Sequence, residues 1–280
     1  MKLRKTQRSK AKIKIGIKGP SGSGKTYSSL LLAKGLSNND YSKVVIIDTE
    51  NRSADLYAHL GEFNVISLEP PFTPEKYIEA IEVCEKANME VIVIDSISHC
   101  WSYLLGFHAS LKGNSFTNWS RITGMQNKFI NKILQTNIHM IVSMRTKQSY
   151  VLNLKEGKYV PEKIGLKAIQ RNDLEYEFSL VFDIDSKHVC ASSKDRTGLF
   201  VSKQGFVINA LTGSKILNWC NNVVTKSEIK EMIKVCNDLE ILNRLYSDYP
   251  SFQNSLNDLF VDKKNQLLNP QNRNSSGANN

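Results

Sequence analysis

Apolar and polar residues alternate along this chain in two rhythms. Ile13, Ile15 and Ile17 alternate with Lys14 and Gly16, the period-two pattern of a strand. A glycine-rich turn follows at Gly19–Gly24, then an apolar helical stretch from Thr26 to Leu36. Val44–Asp48 reads as a short aliphatic strand, Ser53–Leu60 as a helix and Val65–Leu68 as a strand. Thr73 or Pro74 opens a helix that runs to Ala87, and Val91–Asp95 is a buried strand. Phe116–Gln135 has helical spacing through Trp119, Ile122, Phe129, Ile130 and Ile133, and Ile138–Met144 is again a strand. Strands alternating with helices in this way predict an α/β fold with a mostly parallel central sheet and helices on both faces.

Residues 146–172 show no clear periodicity and read as a long loop, a length that usually serves function. Leu174–Ile184 and His188–Ser192 predict a C-terminal antiparallel strand pair turning near Asp185 and Ser186. A helical pattern runs from Ser227 to Leu259, and the stretch from Asn265 is rich in Asn and Ser. The predicted organisation is a disordered arm over 1–11, an α/β domain over 12–221, a helical extension over 222–264 and a disordered tail over 265–280.

The turn after the first strand carries chemistry. Gly19, Pro20, Ser21, Gly22, Ser23, Gly24, Lys25 and Thr26 fit the pattern G-x-x-x-x-G-K-[ST], between a strand and a helix as the motif requires. Glycines let the backbone curl until several N–H groups point inward, and the helix N-terminus adds the positive end of its dipole. Lys25 can reach the β- and γ-phosphates of a nucleoside triphosphate, and the Thr26 hydroxyl can bind Mg²⁺. Asp95 ends the run Val91–Ile94, so it stands at a strand's carboxyl end, where ligands of such sheets bind, and is the second candidate Mg²⁺ ligand. Hydrolysis also needs a group that orients water. Glu50, just beyond the strand Val44–Asp48, takes that role if its strand neighbours the first; Asp48 is the competing carboxylate.

Charge adds a partner class. Ten of the 37 Lys and Arg residues fall within residues 1–39, which hold no acid, and the remaining 27 balance the 27 acids. The net charge of +10 therefore belongs to the N-terminal stretch, a footprint of nucleic-acid contact or of a solvated tail. Five scattered cysteines with no CxxC pair fit free thiols in a reducing cytoplasm. No apolar window approaches the roughly 18 residues of a membrane span, so a cytoplasmic protein of a bacterium or a phage-infected host is expected, with no membrane partner.

Together, the phosphate loop, Asp48-Thr49-Glu50 on the next strand and the Val91–Ser96 strand resemble the RecA-like ATPases. Further residues resemble the short phage and prophage RecA/RadA-like ATPases of the single-strand-annealing recombinase group: Ile94–His99, Met144–Lys147, Tyr176–Phe178 and Lys194–Gly198. The resemblance spans roughly residues 12–220. It implies a RecA-like P-loop core, ATP and Mg²⁺ as ligands, Glu50 as catalytic glutamate and Tyr57 as the ring that stacks on adenine. It implies that Lys194 and Arg196 act on the nucleotide of a neighbouring subunit, in a homo-oligomeric ring or filament. Where RecA has a glutamine that senses the γ-phosphate, this chain has Met144 and Arg145; methionine donates no hydrogen bond, so Arg145 is the candidate sensor.

In RecA-like proteins two loops hold single-stranded DNA, and by position these are Gly106–Asn118 and Lys147–Asn172. The second carries Lys147, Lys155, Lys158, Lys163, Lys167 and Arg171 with Tyr150 and Tyr159 interleaved, the mixture a sequence-tolerant single-strand site needs. The expected function is a DNA-dependent ATPase of recombination, strand annealing or repair. A ring helicase or translocating motor shares the core, and strand separation or directional movement discriminates it. A phosphate loop also serves small-molecule and nucleotide kinases, and a non-catalytic DNA binder gated by ATP would carry it too. The helical extension is a candidate for docking on a neighbour or recruiting a single-strand-binding protein.

Overall fold

The computed structural model describes residues 12–268 apart from 156–157, 172–173, 202, 204 and 222–224, and the backbone alone of 148–155, 158–166, 248 and 251. Two compact units result, the first ending at Asn221 and the second following it.

The first unit is built on eight strands: β1 (Lys14–Gly19), β2 (Val44–Asp48), β3 (Asn64–Ser67), β4 (Val91–Asp95), β5 (His139–Lys155), β6 (Lys158–Ala168), β7 (Leu180–Ile184) and β8 (Cys190–Asp195). Their order is β3-β2-β4-β5-β1-β7-β8, with β6 paired to β5 off this path. All neighbours are parallel except β7 with β8 and β5 with β6. Every residue of β2 and β4 is buried, as a parallel sheet covered on both faces requires. Successive side chains go to opposite faces. Val45, Ile47, Ile92 and Ile94 pack beneath α2 (Pro74–Lys86), α3 (Ser98–Ser110) and α4 (Ser115–Gln135). Ile15, Ile17, Ile46 and Val93 pack beneath α1 (Lys25–Leu36) and α5 (Ala210–Cys220). The mostly parallel sheet, the helices on both faces and the antiparallel β7–β8 pair are those expected.

Several expectations are corrected. Residues 146–172 are mostly not a loop: β5 runs on to Lys155 and pairs with β6 as a long antiparallel hairpin from Thr146↔Ala168 to Lys155↔Lys158. A two-stranded ribbon held by its backbone ladder needs no alternating apolar face, so periodicity could not reveal it. The stretch Gly106–Asn118 is mainly the end of α3 and the start of α4, with Asn114 capping α4 through Phe116 N. Strand β7 begins only at Leu180, after a 3₁₀ turn at Leu174–Tyr176, and β8 starts at Cys190. The helix expected over Ser53–Leu60 is present with those bounds, as 3₁₀.

The second unit holds α6 (Lys226–Val235), α7 (Leu239–Asp248) and α8 (Gln253–Leu268) around Ile229, Ile233, Leu242, Leu256 and Phe260. The last helix passes residue 264 because Leu267 still packs on this core. Among the described residues no helix is long and apolar enough to cross a membrane. The basic arm over 1–11 and the tail from 269 lie outside the described residues.

Candidate active site

The site starts where β1 ends. Gly22 and Gly24 adopt φ of +76° and +82°, which turn the backbone sharply before α1 begins at Lys25. The first amides of α1 have no acceptor inside the helix. Lys25 folds back over the loop, its Nζ donating to the Pro20 carbonyl at 2.8 Å. Burial lowers its pKa, against the pull of Asp95 and Glu50. The buried Ser23 Oγ has no partner among the described residues.

Beside this loop stand the carboxyl end of β4 and the Ser143–Arg145 stretch of β5, where that strand leaves its pairing with β1. Asp95 is buried; its two oxygens accept from the Thr26 and Ser143 hydroxyls. Burial pushes its pKa up, opposed by those two hydroxyls. Oxygen donors alone, one carboxylate and one hydroxyl, fit Mg²⁺, which takes few protein ligands and keeps its waters. No cluster of three or more His, Cys, Asp or Glu that could hold a metal occurs among the described residues.

Glu50 lies in the same cavity as Lys25, Thr26 and Asp95, but not by the route expected. Strand β2 does not neighbour β1; β4 and β5 stand between them. Glu50 arrives because β2 pairs with β4 in a register that sets Asp48 beside Asp95. The structure also separates the two competing carboxylates. Asp48 is buried and committed to the backbone, accepting from Glu50 N at 2.6 Å and Ala54 N at 2.9 Å. Glu50 instead receives the Arg145 guanidinium, with Nε and one terminal nitrogen at 3.0 and 2.8 Å from Oε1. Strand alternation sends Met144 and Arg145 to opposite sides. Met144 is fully buried in the core, and Arg145 faces the cavity with its backbone N–H held by Ser98 Oγ at 3.0 Å.

The cavity measures about 590 Å³ and is completed by Tyr57, His188, Val207 and Ile208. Tyr57 thus shares the cavity with the phosphate loop, its ring 6.1 Å from that of Tyr27. Sequence reasoning missed Ser143 and His188. A small polar residue closing the aliphatic run of β5 was the available signal for Ser143. His188 sits in a turn with nothing in the local sequence to mark it.

Other candidates lie elsewhere. Lys194 and Arg196 do not line this cavity. Both donate to the carbonyl of Tyr176, Arg196 at 3.3 Å, and Lys194 also donates to the Glu175 carbonyl at 3.2 Å. Lys194 shares a second concavity with Lys167, Gln170, Arg171 and Tyr176 at the root of the β5–β6 hairpin. Lys147 pairs with Lys167 in that hairpin. The side chains of Tyr150, Lys155, Lys158, Tyr159 and Lys163 lie outside the described residues.

A phosphate loop at the end of β1, an acidic residue at the end of β4 and β5 between them define a P-loop nucleoside triphosphatase. The chain belongs to the AAA domain family, whose match covers residues 11–208. Among solved structures it is similar to the KaiC-like protein of the hyperthermophilic archaeon Pyrococcus horikoshii, at 16% identity and a TM-score of 0.40, over 70% of this chain and 82% of that one. No curated protein matches it.

Proposed function

We propose that the chain is a DNA-dependent ATPase of RecA/RadA-like type that binds single-stranded DNA and acts in phage-type recombination, strand annealing or repair. The observation that carries this reading is the continuity of β5. Ser143 bonds Asp95, Arg145 bonds Glu50, and the next residues, Thr146 and Lys147, are the first rungs of the basic hairpin. A strand of nucleic acid held on the hairpin would therefore act on the catalytic constellation through two peptide bonds.

In this reading the loop amides and Lys25 bind the triphosphate and Tyr57 lies against the base. Bound Mg²⁺, held by Thr26 and Asp95, would supply charge neutralisation at the phosphates. Glu50 orients the attacking water. Arg145 restrains Glu50 until ATP enters, then turns to the γ-phosphate and frees the carboxylate. Lys194 and Arg196, which lie outside this cavity and bond the Tyr176 carbonyl within their own chain, would turn to the nucleotide of a neighbouring copy, which is why a homo-oligomer is part of the proposal.

Fluorescence anisotropy of a labelled single-stranded oligonucleotide at several salt concentrations tests the DNA arm. With roughly four to six phosphates neutralised, the log–log slope should be about −3 to −4. Absence of binding at about 50 mM salt, with and without nucleotide, would remove DNA from the account.

A further inference from the structure

The β7–β8 turn does more than join two strands. Asp185 organises it: its Oδ1 accepts from Lys187 N and Val189 N, both at 2.9 Å, and its carbonyl accepts from His188 N at 3.1 Å. His188 adopts φ of +64° in this turn and lines the nucleotide cavity. Its Nδ1 lies 3.0 Å from the Ser23 carbonyl oxygen, in the middle of the phosphate loop. A carbonyl only accepts, so Nδ1 carries the hydrogen.

This bond has a directional consequence. Across a trans peptide the C=O and N–H point in opposite directions. Holding the Ser23 carbonyl toward His188 therefore aims the Gly24 N–H the other way and stops that peptide from flipping. The same ring also closes over the glycine. A Cβ on residue 24 would lie 3.0 Å from His188 Nδ1, at a φ of +82° that side chains rarely adopt. Two observations, one hydrogen bond and one steric fit, thus place the imidazole as a brace on the loop.

We infer that His188 is a positioning residue for nucleotide binding: it holds the Ser23–Gly24 peptide in the orientation that presents its amide to the phosphates. Because it pre-orients the loop for substrate and transition state alike, its loss weakens binding and leaves the chemical step. The inference rests on the nucleotide site proposed above.

The test is calorimetric titration of Mg²⁺–ADP into the full chain, with steady-state ATP hydrolysis alongside. His188→Ala should weaken ADP binding about tenfold, the cost of about one hydrogen bond, with a matching rise in KM and kcat within about twofold. His188→Asn should recover most of the affinity, since its side-chain amide occupies the place of Nδ1 and also donates. Equal affinity in wild type and His188→Ala overturns the inference, as does His188→Asn binding as weakly as His188→Ala. A readout independent of any variant is the histidine tautomer from ¹H–¹⁵N correlation spectra of the wild type. Protonated Nδ1 supports the brace, and a bare Nδ1 with the proton on Nε2 overturns it. Wild type that fails to bind Mg²⁺–ADP sinks the nucleotide site itself, an outcome distinct from the failure of His188 alone.

Discussion

The two carboxylates after β2 offer a crossed prediction. Asp48 and Glu50 are two residues apart, yet one is wired to the backbone and the other faces the cavity. Asp48→Asn keeps the shape but replaces one accepting oxygen with an NH₂ group. One of the two amides it holds, Glu50 N or Ala54 N, is then left facing a donor. Losing a hydrogen bond to a charged acceptor in a buried place costs about 1.5–3 kcal/mol, which lowers Tm by roughly 3–12 °C for a domain of this size. Glu50→Gln removes an ion pair whose side chains are 25% and 41% exposed, the Arg145 partner being the more exposed. Such a pair is worth at most about 1 kcal/mol, so Tm should move by less than about 4 °C. If Glu50 orients water as proposed, its effect falls on turnover, and kcat should drop by about 10²–10⁴. Thermal denaturation and steady-state ATP hydrolysis on both variants give the readout. An Asp48→Asn protein that is stable but inactive, beside a Glu50→Gln protein that still turns over, would refute the assignment of roles.

Three further predictions concern fold and coupling. Gly35→Ala should destabilise the chain by about 3 kcal/mol or more in urea denaturation, although alanine is the better helix former, because the added Cβ would lie 2.0 Å from the Ala210 carbonyl where α1 meets α5. Lys14 is buried and donates to the carbonyls of Thr136 and Ile138 at 2.8 and 2.6 Å; burial, then Lys12, pushes its pKa down to about 7 from 10.5. The unfolded chain keeps that proton up to about pH 10.4 while the folded one releases it near 7, so stability should rise as pH climbs between these values. Urea midpoints at several pH values should show this rise in the wild type and its loss in Lys14→Met. Replacing Lys147, Lys167 and Arg171 together by Glu should weaken binding of single strands at least tenfold and flatten its salt slope by about 2, with ATP hydrolysis in the absence of DNA retained.

The central α/β architecture was legible because its strands carry it in their composition. Val44–Ile47 and Val91–Ile94 are continuous β-branched aliphatic runs, the pattern of a strand buried on both faces. The phosphate loop was legible because the motif is local, and Asp95 because a strand's last residue is a fixed place. Strand order was not legible: nothing in β2 says that it pairs with β4 rather than β1, and Glu50 reaches the cavity only through that pairing. The β5–β6 hairpin escaped because its ladder is made of backbone. Helix α3 escaped because apolar residues fall on several sides of it, in Trp101, Tyr103, Leu104, Leu105 and Phe107. His188 escaped because its contact with Ser23 joins residues 165 positions apart.

The central claim, hydrolysis of ATP coupled to DNA, is tested most directly by measuring phosphate release with and without single-stranded DNA, with Lys25→Ala as the blank. The account predicts turnover that rises strongly with single-stranded DNA and vanishes in Lys25→Ala. Turnover that no DNA alters would contradict the coupling through β5 and point instead to small phosphate acceptors.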